Sequence, residues 1–415
     1  MINNIEASRV SRRQTLSFVF MALRPLLKLT VVSLFRPEKM KVLSTAFSEL
    51  YSRLWDFAEH SISHHGFTLP SALGETPSHR VNGLLSKLYG APFASLSFGG
   101  SSGALLTLLT AIVPKLHPNR DLILFDDVCH QSAIGGLIFG RWKAIRLERR
   151  TTPTLGTVSP VSFEAVKKAI ELHGPDRFAA ILLVLPSYDG FRSPSEDIKI
   201  YNYAKSHGIF VIVDGAWDAL RFRHPNSKTP PLSSICDVWV TSPHKRGLTP
   251  SSLGCILTKS EAIARLWDEA LDLGFRSSSV SFVEIMIAEH RLEQIVRGEW
   301  NKAFEQAECA GKILSDRIHE IHPNLHIVKP HDVQAETHDQ THVLISVDRV
   351  SDLDGRRWAE TLSQHFAIDV EKATSSTLLL LCGSPSHLTQ MDNIILLLKK
   401  ALNMTLKQKE CRPHD

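Results

Sequence analysis

From about Pro70 onward the chain alternates short, wholly apolar, β-branched runs with longer stretches whose apolar residues recur every three or four positions. The short runs predict strands: "ASLSF" (94–98), "DLILF" (121–125), "KAIRL" (143–147), "AAILLVL" (179–185), "FVIV" (210–213), "DVWVT" (237–241) and "GCILT" (254–258). Strands that are apolar throughout, with no alternating polar face, fit a mostly parallel sheet covered by helices on both sides. The longer stretches predict helices over "SGALLTLLTAIVPKL", "SFEAVKKAIELHG" and "DIKIYNYAKSHG". The last two are closed by a glycine after a histidine, a usual helix stop.

After about residue 290 the pattern changes to one long helical stretch, "VEIMIAEHRLEQIVRGEWNKAFEQAECAGKILSDRIHEI". A smaller unit follows: strand "THVLISV", helix "GRRWAETLSQHF", strand pair "IDVEKATSSTLLLLC" and helix "HLTQMDNIILLLKKAL". The expected architecture is therefore α/β: a three-layer α/β/α large domain over 70–290 with a mostly parallel sheet, and a small α+β C-terminal domain over 291–415. Residues 1–69 read as an N-terminal helical segment, and "HPNSKTPPL" (224–232) as an exposed loop.

Composition narrows the function without naming it. With 43% hydrophobic and 22% charged residues in 415, the chain is ordinary globular material with room for two cores. The 47 basic and 43 acidic residues nearly balance and form no long single-sign block, so nucleic acid is not implied. Cys129, Cys236, Cys255, Cys309, Cys382 and Cys411 show no CxxC spacing, which argues against a zinc knuckle or a disulfide scaffold and for a reducing, cytoplasmic setting. No metal site is expected. The N-terminal run "LSFVFMALRPLLKLTVVSLF" is interrupted by Arg24, Pro25 and Lys28, so it falls short of a membrane span. It reads as an amphipathic helix that packs on the body or on a partner subunit, with a targeting or membrane-surface segment as the alternative.

Candidate chemistry gathers at the ends of the predicted strands. "SFGGSSGALL" passes from a strand through Gly99, Gly100, Ser101 and Ser102 into a helix near Gly103, a turn suited to phosphate, although it lacks both GxGxxG and Walker spacing. "FDDVCHQS" places His130 after the next strand. "IVDGAW" ends a strongly apolar strand on Asp214, a carboxylate that needs either a turn to cap or a cation to face. "VTSPHKRGL" ends the following strand on Ser242, His244 and Lys245; a desolvated lysine there can lose its proton and act as a nucleophile. A protonated pyridine nitrogen would satisfy Asp214.

In this order the segments "LYGA", "GGSSGALL", "DDVCHQSAIGGLIFG", "LPSYDG", "AKSHGIFVIVDGAWDALRFRHP", "TSPHK" and "FRSSSVSFVEIMIA" resemble fold type I pyridoxal-phosphate enzymes of the aspartate aminotransferase superfamily, and within them the bacterial-type ornithine/lysine/arginine decarboxylases. The resemblance spans about residues 70–400. It implies pyridoxal 5'-phosphate as cofactor, Lys245 as the lysine that carries it, Asp214 as partner of the ring nitrogen, and His130 as the imidazole stacked on the ring. It implies Ser101, Ser102, Gly103, Ser242 and His244 around the phosphate, and Ala216 with Trp217 on the ring's other face. Ser278, flanked by Ser277 and Ser279, resembles the segment that reaches a phosphate in the neighbouring subunit of a homodimer with shared sites.

The implied activity is that of a lyase, the decarboxylation of a small-molecule amino acid, with a basic one favoured by the family. An aminotransferase, another Cα-chemistry or oxygen-using enzyme, and a non-catalytic homologue remain the alternatives. Segments matching the additional C-terminal domain and N-terminal wing of the family's large members are not found. Neither the group that orients a substrate carboxylate nor the acid that a basic side chain would need is legible from spacing.

Overall fold

The computed structural model describes residues 77–410 apart from 98, 153–154, 219–230, 247–248, 250–252, 272–281 and 383–384. Seven strands form the main sheet: β1 (Phe93–Ser97), β2 (Leu122–Asp126), β3 (Lys143–Leu147), β4 (Phe178–Val184), β5 (Phe210–Asp214), β6 (Val238–Thr241) and β7 (Gly254–Thr258). Their spatial order is β1-β7-β6-β5-β4-β2-β3. The pairs from β3 through β6 are parallel, whereas β7 runs antiparallel to both β6 and β1. Two reversals cancel, so β1 ends at the same edge as the parallel strands. Ser97, Asp126, Asp214 and Thr241 thus finish along one rim, the edge where open α/β sheets bind ligands.

Ten helices are used below: α1 (Pro77–Tyr89), α2 (Gly100–Thr107), α3 (Gln131–Phe139), α4 (Phe163–His173), α5 (Pro194–Ser206), α6 (Glu261–Ala270), α7 (Phe282–Val296), α8 (Asn301–Asp316), α9 (Gly355–Phe366) and α10 (Met391–Glu410). Side chains alternate across a strand, and here both faces are covered. Ile181, Leu183, Val211 and Val213 pack under α1, α4, α5 and α7, through Leu85, Ile170, Ile200 and Leu292. Their neighbours Ala180, Leu182 and Ile212 pack on the other face beneath α2, α3 and α6, through Leu105, Leu137 and Trp267. This double burial is why the strands read as unbroken apolar runs. Each fully buried aliphatic or aromatic side chain contributes roughly 1.5–3 kcal/mol relative to exposure.

A second, antiparallel sheet holds β8 (His326–Ile327), β9 (His342–Ser346), β10 (Lys372–Ala373) and β11 (Thr377–Leu381) in the order β8-β9-β11-β10. One face sends Val343, Ile345, Leu378 and Leu380 into a core with Leu314, Trp358 and Leu398 of α8, α9 and α10. The other face sends Leu344 and Leu379 against Leu155 and Phe191. Phe191 belongs to the segment after β4, which also pairs with Thr337–His338. The second sheet is thereby set against the loop that leaves the main sheet's rim.

Two predicted helices differ in the structure. The stretch read as one long helix divides into α7 and α8 at residues 297–300, where Gly298 takes φ +82°, a left-handed conformation that glycine adopts at little cost. The helix read over 102–116 is α2, then a π turn at Leu108–Ile112, then a short helix Val113–Leu116. Pro114 lies in that last piece and has no N–H to continue the regular ladder. The loop read at 224–232 lies outside the described residues except for Pro231 and Leu232, which open a 3-10 turn at Leu232–Ser234.

Candidate active site

The rim of the main sheet collects the polar residues that the apolar strands carry at their ends. Asp214 closes β5 and is 5% exposed. Its Oδ1 accepts the Ala216 N–H at 3.1 Å, so it caps its own turn, and among the described residues no cation pairs with it. Burial pushes its carboxyl above the ordinary carboxylate range, against the Ala216 hydrogen bond and the positive charges of Lys245 and His130. One strand along, the 3-10 turn Pro243–Arg246 leaves β6 and presents Lys245. Burial lowers the Lys245 ammonium from its usual value, with Asp214 and Glu371 opposing. The two charges influence each other but form no ion pair. A carboxylate held in this way at a dry strand end has the charge that a protonated ring nitrogen needs, and the lysine has the depressed basicity that a nucleophilic amine needs.

The turn after β1 enters α2, whose N-cap Gly99 offers no side-chain cap. The first N–H groups of a helix have no intrahelical acceptor and carry partial positive charge. The Gly103 N–H is already given to Gly99 O at 2.9 Å, which leaves Ser101 and Ser102 to face an anion. Gly103 itself packs close behind the turn, where an added Cβ would lie 3.4 Å from Ser97 Oγ. Ser242 Oγ donates to Ser101 Oγ at 2.8 Å, joining the end of β6 to this helix start. His244 Nδ1–H donates to the Leu253 carbonyl at 2.9 Å. That bond fixes the tautomer, so its Nε2 serves as a donor to an anion only when the ring is protonated.

Gly254, which the sequence pattern did not single out, is what lets α2 approach. A Cβ there would lie 2.4 Å from Gly100 C and 2.5 Å from Ser101 N. Gly254→Ala is therefore expected to push the helix start off β7. We expect it to cost on the order of 1–3 kcal/mol of stability and to weaken binding of a phosphorylated ligand about ten-fold or more, measured by chemical denaturation and by equilibrium dialysis.

His130 is the N-cap of α3; its Nδ1 accepts the Ser132 N–H at 3.2 Å and lies 2.8 Å from Ser132 Oγ. Its ring is exposed at the rim, and its charge bears on Asp214. Ala216 and Trp217 follow Asp214 after Gly215, both buried. Lys245 Nζ stands 4.2 Å from the centre of the Trp217 ring, a cation–π distance. Two further rings meet Trp217 edge-on, Tyr188 at 5.4 Å and His342 at 5.7 Å. Ser277, Ser278 and Ser279 lie outside the described residues.

Besides Gly254, sequence reasoning missed four contributors. Asp126 ends β2 as Asp214 ends β5, and the same signal, a carboxylate closing an apolar strand, could have found it. Its side chain and that of Arg149 are 0% and 1% exposed and form an ion pair. Arg149 Nε donates to Asp126 Oδ1 at 2.7 Å and its Nη2 also reaches the Val184 carbonyl, while the Val184 N–H donates to Asp126 Oδ2. Asp126 adds to the upward shift of Asp214, and Arg149 is the counter-charge of Asp126 itself. Arg149, Tyr188 and Glu371 gave no local sequence signal. Cys129, beside His130, is held as a thiol, since burial, then Asp126 and Asp214, push it up to about 12.

No family model matches the chain. Among curated proteins it is 25% identical over 294 residues to an arginine decarboxylase of Bacillus anthracis, covering 69% of this chain and 57% of that protein. It is 24% identical over 339 residues to an arginine decarboxylase of Halalkalibacterium halodurans, covering 77% and 63%. The chain thus spans less than two thirds of the length of either relative. Among solved structures, the Escherichia coli constitutive lysine decarboxylase superposes with a TM-score of 0.61 at 15% identity, over 82% of this chain and 53% of that one. Cystalysin from Treponema denticola, whose structure contains pyridoxal 5'-phosphate, superposes with a TM-score of 0.59 at 14% identity, over 87% and 88%. The chain has the mixed α/β, aminotransferase-like fold shared by these pyridoxal-phosphate enzymes of fold type I.

Proposed function

We propose that the protein is a pyridoxal-phosphate-dependent decarboxylase of an amino acid with a basic side chain. The observation that carries this reading is the placement of Asp214 and Lys245 at the ends of adjacent strands, both desolvated and not paired with each other, beside an uncapped helix start. These residues fit the cofactor: a buried carboxylate without a cation among the described residues, a lysine of lowered basicity, and an uncapped helix start that Gly254 lets come close to β7. The arginine and lysine decarboxylases among the similar proteins support the reaction class.

Pyridoxal phosphate, when bound, draws electrons away from the substrate Cα so that a bond there can break. The chain's own residues would do the rest. Ser101, Ser102 and Ser242 would hold the phosphate through N–H and hydroxyl donors at the positive end of α2. Asp214 would keep the ring nitrogen protonated by supplying a fixed negative charge in a dry site. Lys245 would hold the cofactor covalently and, once freed by the substrate amine and protonated, would as an ammonium deliver the proton that takes the place of the departing carboxylate at Cα. His130 would cover one face of the ring and Ala216 the other, while Trp217 limits water around Lys245. The active unit is expected to be a homodimer, with the segment around Ser278 reaching the neighbouring site; this rests on the resemblance alone.

Incubating the cofactor-loaded protein with arginine, lysine and ornithine in turn tests the reading. One of them should yield CO2 and the matching amine in equal amounts. An oxo acid or ammonia in place of CO2 would favour a second reading, an aminotransferase or C–S lyase. That reading is favoured by the way the chain matches cystalysin over nearly its whole length and the lysine decarboxylase over about half.

A further inference from the structure

A basic substrate needs a partner for its distal charge, and the second sheet brings one acid to the rim. Glu371 directly precedes β10, where its N–H donates to the Leu379 carbonyl at 3.1 Å. Its half-buried carboxylate accepts the Tyr188 hydroxyl. The Tyr188 ring stands edge-on to Trp217 at 5.4 Å, and Trp217 lies under Lys245 Nζ at 4.2 Å. Two rings therefore lead from Glu371 to the lysine, whose ammonium feels the Glu371 charge.

The neighbouring cation does not neutralise this acid. Lys372 Nζ turns instead to Asp189, at 2.9 and 3.0 Å from its two oxygens, and Asp189 also accepts the Thr157 hydroxyl. Among the described residues Glu371 has a hydroxyl donor but no ion pair. A partly desolvated carboxylate in that state gains from any cation that reaches it, and a hydrogen bond to a charged group is stronger than one between neutral groups. The tyrosine holds the carboxylate in one orientation without cancelling its charge.

We propose that Glu371, oriented by Tyr188, receives the distal ammonium or guanidinium of the substrate and so selects basic amino acids. This rests on the decarboxylase reading above. The competing role is structural: Tyr188–Glu371 and Asp189–Lys372 would simply tie the loop after β4 to the second sheet. Glu371→Gln separates the two, because the amide oxygen still accepts the Tyr188 hydroxyl while the charge is gone.

Calorimetric binding of 1,5-diaminopentane and of pentylamine to the cofactor-loaded protein provides the test, with KM and kcat on the preferred amino acid measured beside it. The wild type is expected to prefer the diamine about ten-fold or more, a difference of the size a charged hydrogen bond supplies. Glu371→Gln should abolish the preference, leave pentylamine affinity within about two-fold, and raise KM about ten-fold with kcat changed less than about three-fold. Glu371→Asp, which keeps the charge, should restore part of the preference. A diamine preference that survives in Glu371→Gln, or an equal loss of both ligands, would overturn the assignment while leaving the cofactor reading intact. A wild-type protein that takes up no pyridoxal phosphate would instead overturn the cofactor reading, and this inference with it.

Discussion

Asp214→Asn is expected to bind pyridoxal phosphate and yet to lose about a hundred-fold or more in kcat, since one fixed charge aimed at a developing charge in a dry site is worth about 3 kcal/mol. The asparagine keeps the shape and can still accept the Ala216 N–H, so what disappears is the charge alone. The same change should act in the opposite direction on the stability of the cofactor-free protein. Burial raises the Asp214 pKa, so at any pH above the ordinary carboxylate value the ionised side chain is held less favourably in the folded chain than in the unfolded one, and the group costs stability. The variant without cofactor should therefore unfold no earlier than wild type at pH 7. Its advantage should vanish as the pH falls from the raised folded pKa to the ordinary carboxylate value, where both forms are neutral. Stopped-flow turnover and thermal melts across pH check the two halves. Near-normal turnover would reduce Asp214 to a cap for its own turn.

Lys245→Ala should have the larger effect, a fall in kcat of about a thousand-fold or more, because it removes both the covalent attachment and the amine that moves the proton. Added methylamine should restore part of the rate, as a small amine enters the space left beside Trp217. The lowered basicity of this lysine also gives a pH signature. Neutral amine is the form that reacts with an aldehyde, and burial makes it available at lower pH than in free lysine. Uptake of pyridoxal phosphate by the cofactor-free wild type should thus accelerate with rising pH, with a midpoint below that of free lysine. The contribution of Asp214 opposes this shift, so in Asp214→Asn the midpoint should move lower still.

The sheet and part of the candidate site were legible because they share one physical cause. Runs such as 179–185 and 210–213 are buried on both faces, by Leu183 and Val213 on one and Leu182 and Ile212 on the other, so nothing polar interrupts them. A polar residue at the end of such a run then stands out, which is how Asp214 and Lys245 could be picked, and Asp126 equally could have been. Gly298 was harder to read, since the apolar period continues on both sides of it and only its left-handed backbone breaks the helix. Arg149, Tyr188 and Glu371 carry no local mark. Arg149 reaches the rim from an irregular segment, and Tyr188 meets Glu371 across 183 positions of chain through the packing of the second sheet on the loop after β4. Long-range packing of this kind leaves no periodicity for a sequence to display. The strand pair over 368–382 was visible, but that its first member sets an acid against the Tyr188 hydroxyl was not.

A cofactor carried by Lys245 would be joined to it through a reducible carbon–nitrogen double bond. Borohydride reduction of the protein loaded with pyridoxal phosphate, followed by proteolysis and mass spectrometric mapping, tests this attachment most directly. A single reduced pyridoxyl label is expected in the peptide containing "TSPHK", on Lys245. A label on any other lysine, or none after loading, would contradict it.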